Sequence, residues 1–185
     1  KKLNSDTILY VPIGLSTFAI PVIETSPIRR FLLQKKICYG LDEIKNIKKY
    51  IKILPLSYYL NISLNYKQLE ANPIYLELDK FKSFKIDSHQ LITSYKILKP
   101  KIIIMDSLST PLYELSSSNS EIIIFLDKYN QPKKDVLNIL KKRFFIFKDV
   151  NEMMICINLI LSRKKTKSKN RLFYNKFYKQ KNFLI

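Results

Sequence analysis

Two unbroken isoleucine triplets, Ile102–Ile104 in KIIIM and Ile122–Ile124 in EIIIFL, constrain this chain more than any other feature. A strand turns successive side chains to opposite faces, so a run without polar alternation must be covered on both sides. TILYVPIG (Thr7–Gly14) and FFIF (Phe144–Phe147) have the same character. Helical spacing fills the gaps between them. Leu91, Ile92, Tyr95 and Leu98 precede a stop at Pro100, and a short helix is expected from Pro111 to near Asn119. Val136, Leu137, Ile139 and Leu140 mark a further helix, and Val150, Met153, Met154, Ile157 and Leu161 the last. Buried strands alternating with helices predict an α/β fold, a Rossmann-like parallel sheet with helices on both faces.

The first half of the chain is less regular. Ile28 to Leu54 reads as two helical pieces parted at Gly40. In the second piece Leu41, Ile44, Ile47, Lys48 and Ile51 form one stripe, with Lys45, Lys49 and Lys52 on the wet side. Tyr59–Ser63 has the makings of a strand, and no clear period runs from there to Asp87.

Charge divides the chain at a different point. Residues 163–185 hold nine of the 33 basic residues and no acid, so half of the net charge of +18 sits in this terminal segment. The organisation expected is a Rossmann-like domain over 1–162 and a basic, aromatic tail over 163–185. Phe173, Tyr174, Phe177, Tyr178 and Phe183 are interleaved with the tail's cations. That mixture suits an anionic membrane surface, or the stacking and charge that hold a single-stranded nucleic acid. A lysine-rich end arising from composition drift would look the same.

Several chemistries are disfavoured. There is no GxGxxG or Walker loop for a dinucleotide or P-loop nucleotide, no GxSxG elbow and no metal-ligand spacing, so neither cofactor nor metal is expected. His89 is the only histidine, placed at a helix start, and no catalytic residue is assigned. The acid pairs Asp6 with Glu24 and Asp42 with Glu43 read as surface. Cys38 and Cys156 are widely separated, as expected of packed free thiols in a reducing, cytoplasmic setting. Lys1 is not a start methionine, and the sequence is expected to be a piece of a longer protein.

In an open α/β sheet, ligands lie outside the carboxyl ends of the strands. Asp106, Ser107, Ser109 and Thr110 follow the strand KIIIM there, and Asp127 follows the next strand. Pro111 suits a first helical position, which makes Thr110 the expected N-cap and the turn a cradle for phosphate. Glu114 falls one residue beyond the capping-box position, so capping does not account for it, and a ribose diol is the ligand group it could meet. A solvated helix residue is the plain alternative.

The segment MDSLSTPLYELSSSNSEIIIFLDKY, with ILYVPIG as an opening strand and IKNIKKYIKILP as a helix, resembles the C-terminal, nucleotide-sugar-binding part of bacterial surface-carbohydrate biosynthesis transferases of the GT-B type. CDP-glycerol-type polymer transferases share a similar turn. The likeness runs loosely from Thr7 to Leu161, and only Asp106–Asp127 is specific. Ser120 and Glu121 stand where that family has prolines. The resemblance implies a glycosyltransferase that moves a sugar from a nucleotide donor onto a glycan or lipid-linked acceptor at the inner face of a membrane. It also implies that Ser109 and Thr110 meet the diphosphate, Glu114 the ribose, and Arg29 or Arg30 the phosphate charge. A separate N-terminal acceptor domain would then supply the catalytic base. The alternative is a small basic α/β protein that binds nucleic acid without catalysis.

Overall fold

The computed structural model describes residues 6–13, 27–53, 73–127 and 131–167. Its elements are β1 (Thr7–Val11), α1 (Pro27–Asp42), β2 (Lys48–Lys52), a 3-10 segment (Pro73–Lys80), β3 (Phe84–Asp87), α2 (Leu91–Leu98) and β4 (Ile102–Met105). They continue with α3 (Thr110–Leu115), β5 (Glu121–Phe125), α4 (Lys134–Arg143), β6 (Phe145–Phe147) and α5 (Val150–Leu161).

The six strands form one sheet in the order β3-β2-β1-β4-β5-β6, and every pairing is parallel. The architecture is α/β and Rossmann-like, as the apolar runs require. The isoleucine triplets serve two cores at once. Ile102, Ile104 and Ile123 face a layer holding Ile37, Leu41, Met153 and Ile157 of α1 and α5. Ile103, Ile122 and Ile124 face Leu112, Leu115 and Leu140 of α3 and α4. Each such side chain, fully buried, contributes about 1.5–3 kcal/mol of apolar transfer, and neither layer can be lost without exposing the sheet.

Local signals fix the helix ends. Asp149 caps α5, its carboxylate accepting the N–H groups of Asn151 and Glu152. Lys99 ends α2 in the left-handed region, just before Pro100. No helix among the described residues is long and apolar enough to cross a membrane. Both cysteines are buried and free, and burial pushes their thiols above the ordinary range.

The reading of Ile28–Leu54 is corrected. α1 runs through Gly40 without a break, and the stretch expected as a second helix contains strand β2. Gly40 is a contact residue rather than a breaker. A Cβ there would lie 2.7 Å from the terminal methyl carbon of Met154 on α5. The stripe from Leu41 to Ile51 fits a helical period by coincidence, because the chain turns at Asn46, whose φ is 63°. Lys49 and Lys52, expected in water, are buried. Lys49 Nζ donates to the Asp42 carbonyl and the Ser83 hydroxyl, and Lys52 Nζ to the Ile53 carbonyl. Desolvation lowers the pKa of both. Asp42, read as surface, accepts the Ser83 N–H at 3.2 Å and its hydroxyl. The proposed strand Tyr59–Ser63 lies outside the described residues.

The Gly40–Met154 contact generates a test. Gly40→Leu is expected to destabilise the fold by about 1–3 kcal/mol through overpacking. Gly40→Ala should stay within about 1 kcal/mol of the parent, because Met154 can swing aside and alanine favours the helix. Urea denaturation of the two variants checks the difference.

Candidate functional site

The strand order reverses between β1 and β4. The chain leaves β1 toward α1 on one face and leaves β4 toward α3 on the other, so the two exits part and open a crevice. The residues that meet there are Pro12 and Ile13 after β1, Arg30 and Gln34 on α1, and Asp106 and Ser107 after β4.

Asp106 organises them. Its Oδ1 accepts the Ile13 N–H at 2.7 Å, and its Oδ2 accepts Gln34 Nε2 at 2.7 Å and the Tyr10 hydroxyl at 3.2 Å. Gln34 Nε2 also donates to the Ile13 carbonyl at 3.1 Å. Ile13 is thereby held by both backbone groups. Arg30 Nη1 donates to the Asp106 carbonyl at 3.2 Å, which sets the guanidinium against the β4–α3 loop. Arg30 and Gln34 are one helical turn apart and share a face of α1. Burial raises the Asp106 pKa, opposed in order by the Gln34 hydrogen bond, the Ile13 amide, the Arg30 charge and the Tyr10 hydroxyl.

Of the residues singled out in the sequence, Asp106, Ser107, Ser109 and Arg30 belong to this loop and the helix beside it. The Asp106 carboxylate is spent within the protein, so its part is to position the crevice rather than to meet a ligand. Ser107 is buried and donates to the Ser109 hydroxyl at 3.2 Å. The cap is one residue earlier than expected. Ser109 is the N-cap of α3, Thr110 its first residue and Pro111 its second. Ser109 makes no side-chain capping bond, and its hydroxyl oxygen accepts from Ser107 instead. The side chain of Thr110 lies outside the described residues. α3 has only six residues, under two turns, so few peptide dipoles add up at its start and hydroxyls and Arg30 must dominate any anion contact. Glu114 is exposed on α3 and Arg29 exposed on α1. Asp127, at the β5 end of the same rim, is half-buried and its carbonyl accepts Gln131 Nε2 at 2.6 Å.

Gln34 and Tyr10 escaped the reading of the sequence. Gln34 is fully buried, and its Oε1 has no hydrogen-bond partner among the described residues. The one available signal was a glutamine on the inward stripe of α1, between Arg30 and Ile37. A second polar cluster also went unread. Asp87, at the carboxyl end of β3, is buried and takes His89 Nδ1 at 2.7 Å, the Ser94 hydroxyl, and the Lys52 ammonium at 3.9 Å. His89 belongs to the β3–α2 turn, and Asp87 fixes its imidazole through Nδ1, which directs Nε2 away from the carboxylate. Three strand spacings separate β3 from β4, roughly 14 Å, so this pair does not share a ligand atom with Asp106.

Two outcomes are expected from substitution at Asp106. Asp106→Ala removes the acceptor shared by the Ile13 N–H, Gln34 Nε2 and the Tyr10 hydroxyl and should cost about 1–3 kcal/mol in denaturant unfolding. The pH dependence follows from the raised pKa. Over the range between the ordinary carboxylate value and the folded one, the fold keeps a proton that the unfolded chain has released. Stability therefore falls as pH rises through that window, and Asp106→Asn should remove this decline in a wild-type-minus-variant comparison.

No protein-family model, curated protein or solved structure gives a significant match to this chain.

Proposed function

We propose that this chain is the donor-binding half of a nucleotide-sugar-dependent glycosyltransferase of surface polysaccharide biosynthesis. The observation that carries the reading is the crevice at the β1/β4 reversal of a 3-2-1-4-5-6 parallel sheet, lined by a guanidinium and paired serine hydroxyls. Open α/β sheets take nucleotides at that reversal. Arg30 offers the fixed positive charge a diphosphate needs, held in place by the Asp106 carbonyl. Ser109, with Thr110 next to it in the chain, offers hydroxyl donors, and the unpartnered Gln34 Oε1 is an acceptor already desolvated beside the crevice. Glu114, one turn into α3 and exposed, is the acceptor proposed for the ribose diol. Arg29 is assigned to longer-range attraction of the anion. The donor is a substrate, and the residues here call for no further cofactor.

In this reading the chain binds and orients the donor. Enclosing a diphosphate between Arg30 and the β4–α3 hydroxyls offsets its charge and leaves the sugar directed outward from the carboxyl rim. The glycan or lipid-linked acceptor and the catalytic base belong to a further acceptor domain.

The test is a thermal-shift and titration series with UDP-, GDP- and CDP-sugars. A ligand at a hundredfold excess over its Kd adds about 2.7 kcal/mol of apparent stability, enough to move the melting temperature by several degrees. One of the three sugar nucleotides is expected to do so. Ser109→Ala and Glu114→Ala should each weaken it about fivefold or more, one hydrogen bond's worth. Arg30→Lys should weaken it further by losing the planar fork. If all three donors leave the melting temperature unmoved at millimolar concentration, the reading is wrong.

A further inference from the structure

A cavity of about 650 Å³ opens at the opposite, amino-terminal edge of the sheet, where α2 leads into β4 and α5 leads out of the fold. Its apolar walls come from Tyr95, Pro100 and Ile160, and its rim from Lys96, Lys99 and Arg163. Those three cations are exposed, and none has a carboxylate within ion-pair distance among the described residues. Lys101, a fourth lining cation, is occupied by the Asp6 carboxylate at 2.8 Å and the Leu161 carbonyl at 2.9 Å. The single acid in the lining, Glu121, is buried, accepts the Lys167 N–H at 3.2 Å and lies in the field of the buried Arg143.

We infer that this cavity receives an anionic membrane lipid, with the lipid's phosphate at the cationic rim and its apolar part against the walls. A bare phosphate would fill only a small part of such a volume, and a hydrophilic anion would gain nothing from its walls. The occupant that matches both features has a phosphate at its head and an apolar body behind it. Two further observations favour a bilayer over a soluble ligand. Ile97, beside Lys96 on α2, is 59% exposed, an apolar side chain set among cations as interfacial helices have them. The sequence that follows Thr166 of the cavity wall is KSKNRLFYNKFYKQKNFLI, basic and aromatic with no acid. The cavity and its rim are amphipathic and cationic, and the sequence that follows them has the same composition. Docking there turns the crevice at the carboxyl rim away from the bilayer, toward water-soluble donors.

Sedimentation of the full chain with vesicles tests it. Phosphatidylcholine vesicles carrying about a quarter phosphatidylglycerol should bind the protein, and pure phosphatidylcholine should not. Lys96→Glu with Lys99→Glu should lower the partition coefficient by at least about tenfold. Lys133→Glu with Lys134→Glu makes the same charge change at the opposite rim and should leave most of the binding. Asn119→Trp, which fills the cavity mouth without altering charge, should also weaken it. Equal losses from the two charge pairs, or no effect of Asn119→Trp, would mean diffuse electrostatics and overturn the inference. So would single-stranded RNA binding that is lost with the cavity variants while vesicle binding is not. Melting temperatures with sugar nucleotides, measured on the same variants, keep this outcome separate from that of the crevice.

Discussion

One buried carboxylate sets the geometry of the carboxyl rim. Asp106 joins the exit of β1, the inner face of α1 and the exit of β4 through three hydrogen bonds, and its own carbonyl anchors Arg30. Hydrophobic contacts alone could not do this, since they would allow the two exits to slide against each other. Directional bonds in a dry site fix them, because a donor left unmatched there costs about 1–3 kcal/mol, more than the bond contributes net. The same enclosure resists ionisation of Asp106, so its charge is held in check by Arg30 and by amides rather than by solvent. The Arg30 guanidinium and the Ser107–Ser109 hydroxyl pair stand at the same exit, while the Asp106 carboxylate is engaged by Ile13, Gln34 and Tyr10.

The chain's abundant cations are divided between two uses. Lys49, Lys52 and Arg143 are buried and give their protons to protein oxygens, among them the carbonyls of Asp42, Ile53, Ser118 and Ser120. These residues knit strand β2 and the turn before β5 into the fold. A large net charge is therefore a poor guide to binding in this protein. Placement decides: Lys96, Lys99 and Arg163 stand at the rim of the amino-edge cavity, whereas the buried lysines of β2 serve the fold.

The sheet was legible wherever burial on both faces removed ambiguity. β1, β4, β5 and β6 announce themselves as continuous apolar runs and α2, α4 and α5 as clean periods, whereas α3, read from Pro111, stops at Leu115 short of the expected Asn119. β2 failed because Lys-Lys-Tyr-Ile-Lys lacks that signature, its lysines being buried by hydrogen bonding to local oxygens rather than by apolarity. Gly40 misled for a related reason: a glycine that lets two helices touch is indistinguishable in sequence from one that ends a helix. At the crevice, the serines and Arg30 could be found from strand ends and loop chemistry. Gln34 could not, since its partner lies 72 residues away and only the tertiary fold brings it to Asp106.

Glycine scarcity ties the two ends of the story together. Helices commonly end on a left-handed residue, usually glycine, because a Cβ is disfavoured there by about 1–2 kcal/mol. This chain has two glycines, and the ends of α2 and α5 are made instead by Lys99 at φ 43° and Arg163 at φ 60°. Both residues line the cavity at the amino edge. The left-handed turn reverses the chain sharply at each helix end and leaves the side chain at the rim rather than back along the helix. A lysine and an arginine in strained positions, facing one cavity from two different helices, are hard to explain by the needs of capping, which asparagine would meet at lower cost. Their charge is what asparagine would lack, and it is the property on which the proposed lipid site at the rim depends.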